Sequence, residues 1–132
     1  MTEQVYHRAR AVAYAQKWAF SRNPAFLNFD GMGGDCTNFA SQCLYAGSGI
    51  MNYTDTFGWY YRSSRDRSPS CTGVPYLYNF LISNKSVGPY AVQTDAQQVL
   101  PGDLVQLGTA DGQFYHSPVI VAADGDDIYV AA

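Results

Sequence analysis

Histidine and cysteine are scarce in this chain: two of the first and three of the second among 132 residues, with no CxxC pair. A structural zinc centre needs ligands in close pairs, and Cys36, Cys43 and Cys71 are not spaced that way, so no metal site is expected. Charge is sparse too, at 14% of residues, and eight Lys and Arg against eleven Asp and Glu leave a net charge of −3. A nucleic-acid interface needs a basic patch, and the scattered cations do not supply one. No apolar run approaches the roughly 18 residues of a membrane span. The opening MTEQVYHRAR lacks the apolar core of a secretory leader. The chain therefore reads as soluble, with no membrane insertion and no export signal, although a leader removed from a mature domain would leave the same sequence. Apolar residues reach 47%, so one domain spanning residues 1–132 can bury about two-thirds of the surface its unfolded chain exposes.

The odd number of cysteines limits disulfides. If Cys36 and Cys43 share a helix, about 10 Å of rise separates them, beyond the roughly 7 Å that a disulfide spans between Cα atoms. A Cys43–Cys71 bridge stays open in an oxidising compartment and would leave Cys36 free.

Apolar periodicity predicts a helix over residues 3–20. Tyr6, Ala9, Ala13 and Phe20 form its buried stripe, joined by Val5 and Val12, and SRNP ends it before Pro24. A loop through FDGMGG leads to a second helix from Asp35 to Ala46. Its buried face is Cys36, Phe39, Ala40, Cys43 and Leu44, with Asp35 as N-cap and Gly47 or Gly49 as the left-handed stop. FGWYY reads as extended, RSSRDRSPSCTG as a surface loop, and VPYLYNFLIS as a short helix with Pro75 near its start. The last third reads as three strands in a meander, LPGDLVQLG, DGQFYHSPVIVAA and DGDDIYVAA, with an edge or bulge at Pro118. Helices followed by an antiparallel meander make an α+β pattern.

Within this layout Cys36 lies in the first turn of a helix. Unpaired backbone N–H groups and the positive end of the helix dipole favour a thiolate there. The same N–H groups, that of Cys36 included, can stabilise an oxyanion when sulfur attacks a carbonyl, and Gly33 and Gly34 leave room for a substrate backbone. The plainer reading is a buried structural cysteine, which fits Cys43, mid-helix on an apolar face. Cys71 reads as incidental or as a bridge partner. Any thiol–imidazole pair must use His7 or His116. His7, among basic neighbours, reads as a solvated surface residue. His116 precedes the apolar strand SPVIV, where a rigid element would hold a general acid–base group; a satisfied histidine at a strand edge is the competing reading.

The string GGDCTNFASQCL resembles the Asp-Cys-Thr/Ser motif of the bacterial putative amidase domain family, related to papain-like cell-wall peptidases of the NlpC type. The resemblance extends over nearly the whole chain. YHRARAVAYAQKWAFSRNPAF is similar to that family's first helix and Asn-Pro turn. SPSCTGVPYLYNFL is similar to its middle helix region, with Cys71 where a tryptophan is expected. PGDLVQL and YHSPVIV are similar to its catalytic strand pair. The resemblance implies a papain-like cysteine hydrolase fold with Cys36 as nucleophile and His116 as base. It implies amide hydrolysis through a thioester without metal or organic cofactor. A peptide-like substrate is implied, the cell-wall stem peptide of peptidoglycan first among such substrates, and with it a cell-envelope or extracellular setting. The family's third, imidazole-orienting residue is expected just after DDIYVAA, so the domain reads as truncated at Ala132. Asp124, Asp126 and Asp127 are substitutes in principle but read as a solvated turn. Two other readings stand beside the hydrolase: a silent module holding peptide or glycan in an aromatic cleft, and an acyltransferase using the same thioester.

Overall fold

The computed structural model describes residues 3–32 and 34–132. Its first helix, α1 (Arg8–Trp18), begins later than the periodicity predicts and buries a different stripe. Ala11 and Ala15 are the fully buried positions. Val5 and Phe20, placed inside by the sequence reading, lie in solvent, and Ala9 and Ala13 are exposed as well. The reason is close packing: only alanine lets α1 lie flush on the next helix, whereas the larger side chains fit at its margins. Residues before α1 are tied down individually. The His7 N–H donates to the Gly47 carbonyl at 2.9 Å, and the Tyr6 hydroxyl donates to the Gly102 carbonyl at 2.8 Å.

That next helix, α2 (Cys36–Ser48), ends at Gly49, whose φ of +71° and N–H bond to the Tyr45 carbonyl close it as a left-handed cap. Phe39, Ala40, Cys43 and Leu44 form the apolar face as the spacing predicts. Thr37, Asn38, Ser41 and Gln42 are buried as well, so the helix is enclosed on nearly all sides. Gly47 permits one of its contacts. A Cβ there would meet the Tyr6 ring at 2.3 Å, closer than carbon atoms can approach.

The polar stretch expected as a surface loop folds into a hairpin, β1 (Tyr61–Ser63) with β2 (Asp66–Arg67), followed by one turn of helix, α3 (Pro69–Thr72). Ser68, Ser70 and Cys71 are buried there. Burial is tolerated because the hydroxyls are bonded: Ser68 Oγ accepts the Tyr60 N–H at 2.9 Å, and Ser70 Oγ donates to the Gly58 carbonyl at 2.6 Å. Trp59, whose ring stacks against Phe80, is 1% exposed and donates its indole N–H to Ser41 Oγ at 3.1 Å. Helix α4 (Val74–Ser83) follows with Pro75 in its first turn, burying Leu77, Phe80 and Leu81.

Four strands complete the chain: β3 (Leu107–Gly108), β4 (Phe114–His116), β5 (Val119–Asp124) and β6 (Asp127–Ala131). β3 pairs with β4 and β5 with β6, both antiparallel. Between the two ladders, Leu104 bridges Val119, the Ile120 N–H donates to the Asp103 carbonyl, and the Val105 N–H donates to the Pro118 carbonyl. The expected meander therefore exists with its middle strand broken at Ser117 and Pro118, because proline cannot donate to the ladder. Helices packed on small antiparallel ladders make the fold α+β. Among the described residues no helix is long and apolar enough to cross a membrane.

Candidate active site

Cys36 is the first residue of α2 and is partly open to solvent. The turn before it is closed by two backbone bonds, from the N–H groups of Met32 and Gly34 to the Phe29 carbonyl. Gly34 has a φ of +104°, and nothing lies within 4 Å of where its Cβ would sit. The space beside Gly34 is thus open. Gly33, the other glycine assigned to this approach, lies outside the described residues.

Asp35 occupies the N-cap position but does not cap the helix with its side chain. The carboxylate, 3% exposed, is committed elsewhere. It accepts the Arg22 Nε–H at 2.6 Å, the Phe29 N–H at 2.9 Å and the Asn38 Nδ2–H at 3.0 Å. This corrects the expected capping role. With Oδ2 on the Arg22 guanidinium and Oδ1 on the Phe29 N–H and the Asn38 amide, neither oxygen is turned to the first-turn N–H groups. Only the Asp35 carbonyl serves the helix, accepting the Phe39 N–H at 2.9 Å. The first-turn N–H groups are consequently left without a side-chain acceptor among the described residues, the state an oxyanion site requires.

The three thiols are free and differ sharply in environment. Cys43 is fully buried, and desolvation pushes its pKa up to about 12. Cys71, 3% exposed in α3 rather than in a polar loop, is pushed up to about 11 by the same cause. Both folded values exceed the ordinary thiol value of about 8.5, so the folded state holds these protons more tightly than the unfolded chain. That stabilisation is complete below about pH 8.5 and is lost as pH rises through 11 and 12. Each thiol then removes up to about 1.4 kcal/mol per pH unit. Urea midpoints should therefore fall between pH 8 and pH 10.5, and fall less steeply in Cys71→Ala than in the parent; identical slopes would refute the assignment.

His116 ends β4, opposite Leu107, and is partly accessible. Sulfur and imidazole are not hydrogen-bonded to each other; their neighbours are. Thr37 Oγ1 lies 3.3 Å from Ser117 Oγ, both buried, and Cys36 Sγ lies 3.8 Å from Thr37 Oγ1. Gln106 Nε2 donates to Ser117 Oγ and to the Val74 carbonyl, each at 3.1 Å. A polar seam thus fastens the start of α2, the end of β4 and the start of α4 to one another. Gln106 Oε1 is buried with no partner among the described residues. Thr37, Gln106, Ser117 and Arg22 were not singled out by sequence reasoning. Only Thr37 had a signal, its place in the Asp-Cys-Thr string; Gln106 and Ser117 depend on strand register, and Arg22 on how the end of α1 meets the start of α2. His7 is on the surface, as expected.

The sequence profile of the family described as putative amidase domain matches residues 5–132. The chain belongs to that family. An uncharacterized protein of Bacillus subtilis (strain 168), YhbB, is 38% identical over 123 residues, covering 90% of this chain and 38% of that protein. The chain thus spans less than two-fifths of that relative's length. No solved structure matches. Amide hydrolysis is the activity class that the family description carries.

Beside the seam, Pro75 and Tyr78 of α4 face Gln113 and Phe114 across a groove of about 460 Å³. Tyr78 and Phe114 touch at 5.0 Å between ring centroids. Phe114 lies two residues before His116 in β4, across a bulge that opposes Phe114 to Gly108 and His116 to Leu107. Asp124 and Asp127 face each other across the exposed β5–β6 turn, with Asp126 between them, the solvated arrangement read from the sequence.

Proposed function

We propose that the domain is a papain-like cysteine hydrolase, related to NlpC-type peptidases, that cleaves a peptide-like amide with Cys36 as nucleophile and His116 as general base. The observation that carries this reading is the contrast among the thiols: Cys36 alone combines a helix start with access to solvent, while Cys43 and Cys71 are sealed in the core. The Thr37–Ser117 contact supports it by anchoring the two elements next to the reacting groups.

In the first half-reaction the Cys36 thiolate adds to the carbonyl carbon, and the new oxyanion is held by the Cys36 N–H at the tip of α2. Collapse expels the amine, which takes its proton from His116, and leaves a thioester. His116 then removes a proton from water, whose oxygen attacks the thioester; the acid departs and the thiol is restored. The groove lined by Tyr78 and Phe114 would hold the chain of a peptide. A cell-wall stem peptide is the favoured substrate, and the cell envelope the corresponding setting.

Iodoacetamide labelling followed by peptide mapping tests the nucleophile. At pH 7 the folded protein should take up label at Cys36 alone, and labelling there should persist at pH 6. His116→Ala should abolish the pH 6 labelling without lowering the thermal midpoint by more than a degree or two. Equal pH dependence in parent and variant would point to a silent binding module instead.

A further inference from the structure

The hairpin of β1 and β2 carries cations that the chemistry above does not use. Among the described residues, ion pairs form at Arg8–Asp103, Arg22–Asp35 and Arg62–Asp66. Arg65 and Arg67 have no carboxylate within 4.0 Å, in a chain whose net charge is −3. Both line a recess of about 300 Å³ that Ser68, Pro69 and Thr72 complete.

Arg67 is held in place before any ligand arrives. Its guanidinium lies 4.6 Å over the Phe29 ring, and its Nη1 donates to the Ser64 carbonyl. A stacked guanidinium keeps in-plane donors for a second partner, and a group already immobilised loses little entropy on binding. Phe29 in turn anchors the turn that ends at Cys36, through its carbonyl to Met32 and Gly34 and its N–H to Asp35. The Arg67 guanidinium is therefore linked, through the ring and then the backbone of Phe29, to the turn that leads into Cys36.

We infer that the recess at Arg65 and Arg67 is a subsite for a substrate carboxylate, so that the amide cut at Cys36 belongs to a peptide with an acidic group near the scissile bond. This rests on the hydrolase reading for its substrate class, but not for its test. The planar fork of arginine matches a carboxylate with two parallel hydrogen bonds, and the recess is large enough for one side chain of glutamate size. Nothing apolar in its lining other than Pro69 would favour a hydrophobic occupant.

The test is equilibrium binding of two fluorescent peptides that differ only by glutamate against glutamine. The glutamate peptide should bind the parent protein on the order of two- to fivefold more tightly, as expected for a partly exposed charge pair, and the preference should shrink as salt rises. Arg65→Gln with Arg67→Gln should erase the preference. Arg65→Lys with Arg67→Lys should retain only part of it, because charge remains and the fork is lost. Arg65→Gln alone, at an exposed position, should weaken the preference with no change in thermal midpoint. Equal affinity for the two peptides, no measurable binding of either at millimolar concentration, or a preference surviving the double glutamine variant would overturn the inference. So would displacement by inorganic phosphate at concentrations where acetate has no effect, which would assign the recess to a phosphorylated ligand. Iodoacetamide labelling of Cys36 should be the same in parent and variants; a loss of labelling in the parent itself would strike the hydrolase reading and leave the peptide preference standing.

Discussion

Cys36→Ala is expected to lower amide hydrolysis on the order of ten-thousandfold or more, the scale seen when a covalent nucleophile is removed, with the fold intact. The expected stability change is small because the side chain is partly exposed at a helix end, where substitutions usually shift stability by about 0.5 kcal/mol. Cys43→Ala and Cys71→Ala should behave in the opposite way, with hydrolysis per folded molecule unchanged and a loss of about 1 to 3 kcal/mol, because both thiols are packed in the core. Product release measured by chromatography, paired with thermal melts, separates the two classes. Activity retained in Cys36→Ala would end the proposal, since no other thiol reaches solvent.

The second large effect lies one residue earlier. Asp35→Ala should cost about 3 to 5 kcal/mol, a large share of the 5 to 15 kcal/mol that holds a domain folded. Among the described residues the carboxylate is the only ion-pair partner of a guanidinium whose side chain is 14% exposed. Arg22 is also woven into the end of α1, donating from Nη1 to the Trp18 and Ser21 carbonyls, and stacks 4.4 Å over Phe39. Deleting the acid strands that charge and frees the Phe29 N–H, and leaves the Asn38 amide only its bond to the Leu27 carbonyl. Arg22→Met combined with Asp35→Ala should recover part of the loss, because the isolated charge is then gone. Urea unfolding measures both; a single-variant cost below about 1 kcal/mol would show that the pair is solvated and dispensable.

How much of this could be read from the chain depends on which force decided each element. α2 was legible because Phe39, Ala40, Cys43 and Leu44 repeat at helical spacing and Gly49 is the residue a left-handed cap favours. α4 was legible for the same reasons, with Pro75 marking its start. The buried stripe of α1 was not. The spacing favours Ala9, Ala13 and Phe20, which are exposed, whereas α2 selects Ala11 and Ala15 by demanding small side chains, a condition set by the partner; Tyr6 does pack against the core. The segment around Ser68, Ser70 and Cys71 looked like surface because hydroxyls are read as polar; each becomes neutral to burial once a specific carbonyl or amide faces it. Register explains the rest. Gln106 meets Ser117 only after the strands pair, and no local spacing announces that contact. Asp35 sits at the predicted place with a different task, since Arg22, thirteen positions away, and the Phe29 N–H take its oxygens.

A helix walled in over most of its circumference has few positions open to drift. From Thr37 to Leu44 every residue of α2 is buried, so the scaffold that aims the sulfur and the core that stabilises the molecule are a single inherited unit. Divergence in what such a domain recognises must settle on outlying pieces, the exposed hairpin tip at 62–66 and the strand-to-strand turn at 108–113, where a new side chain disturbs only its own surroundings.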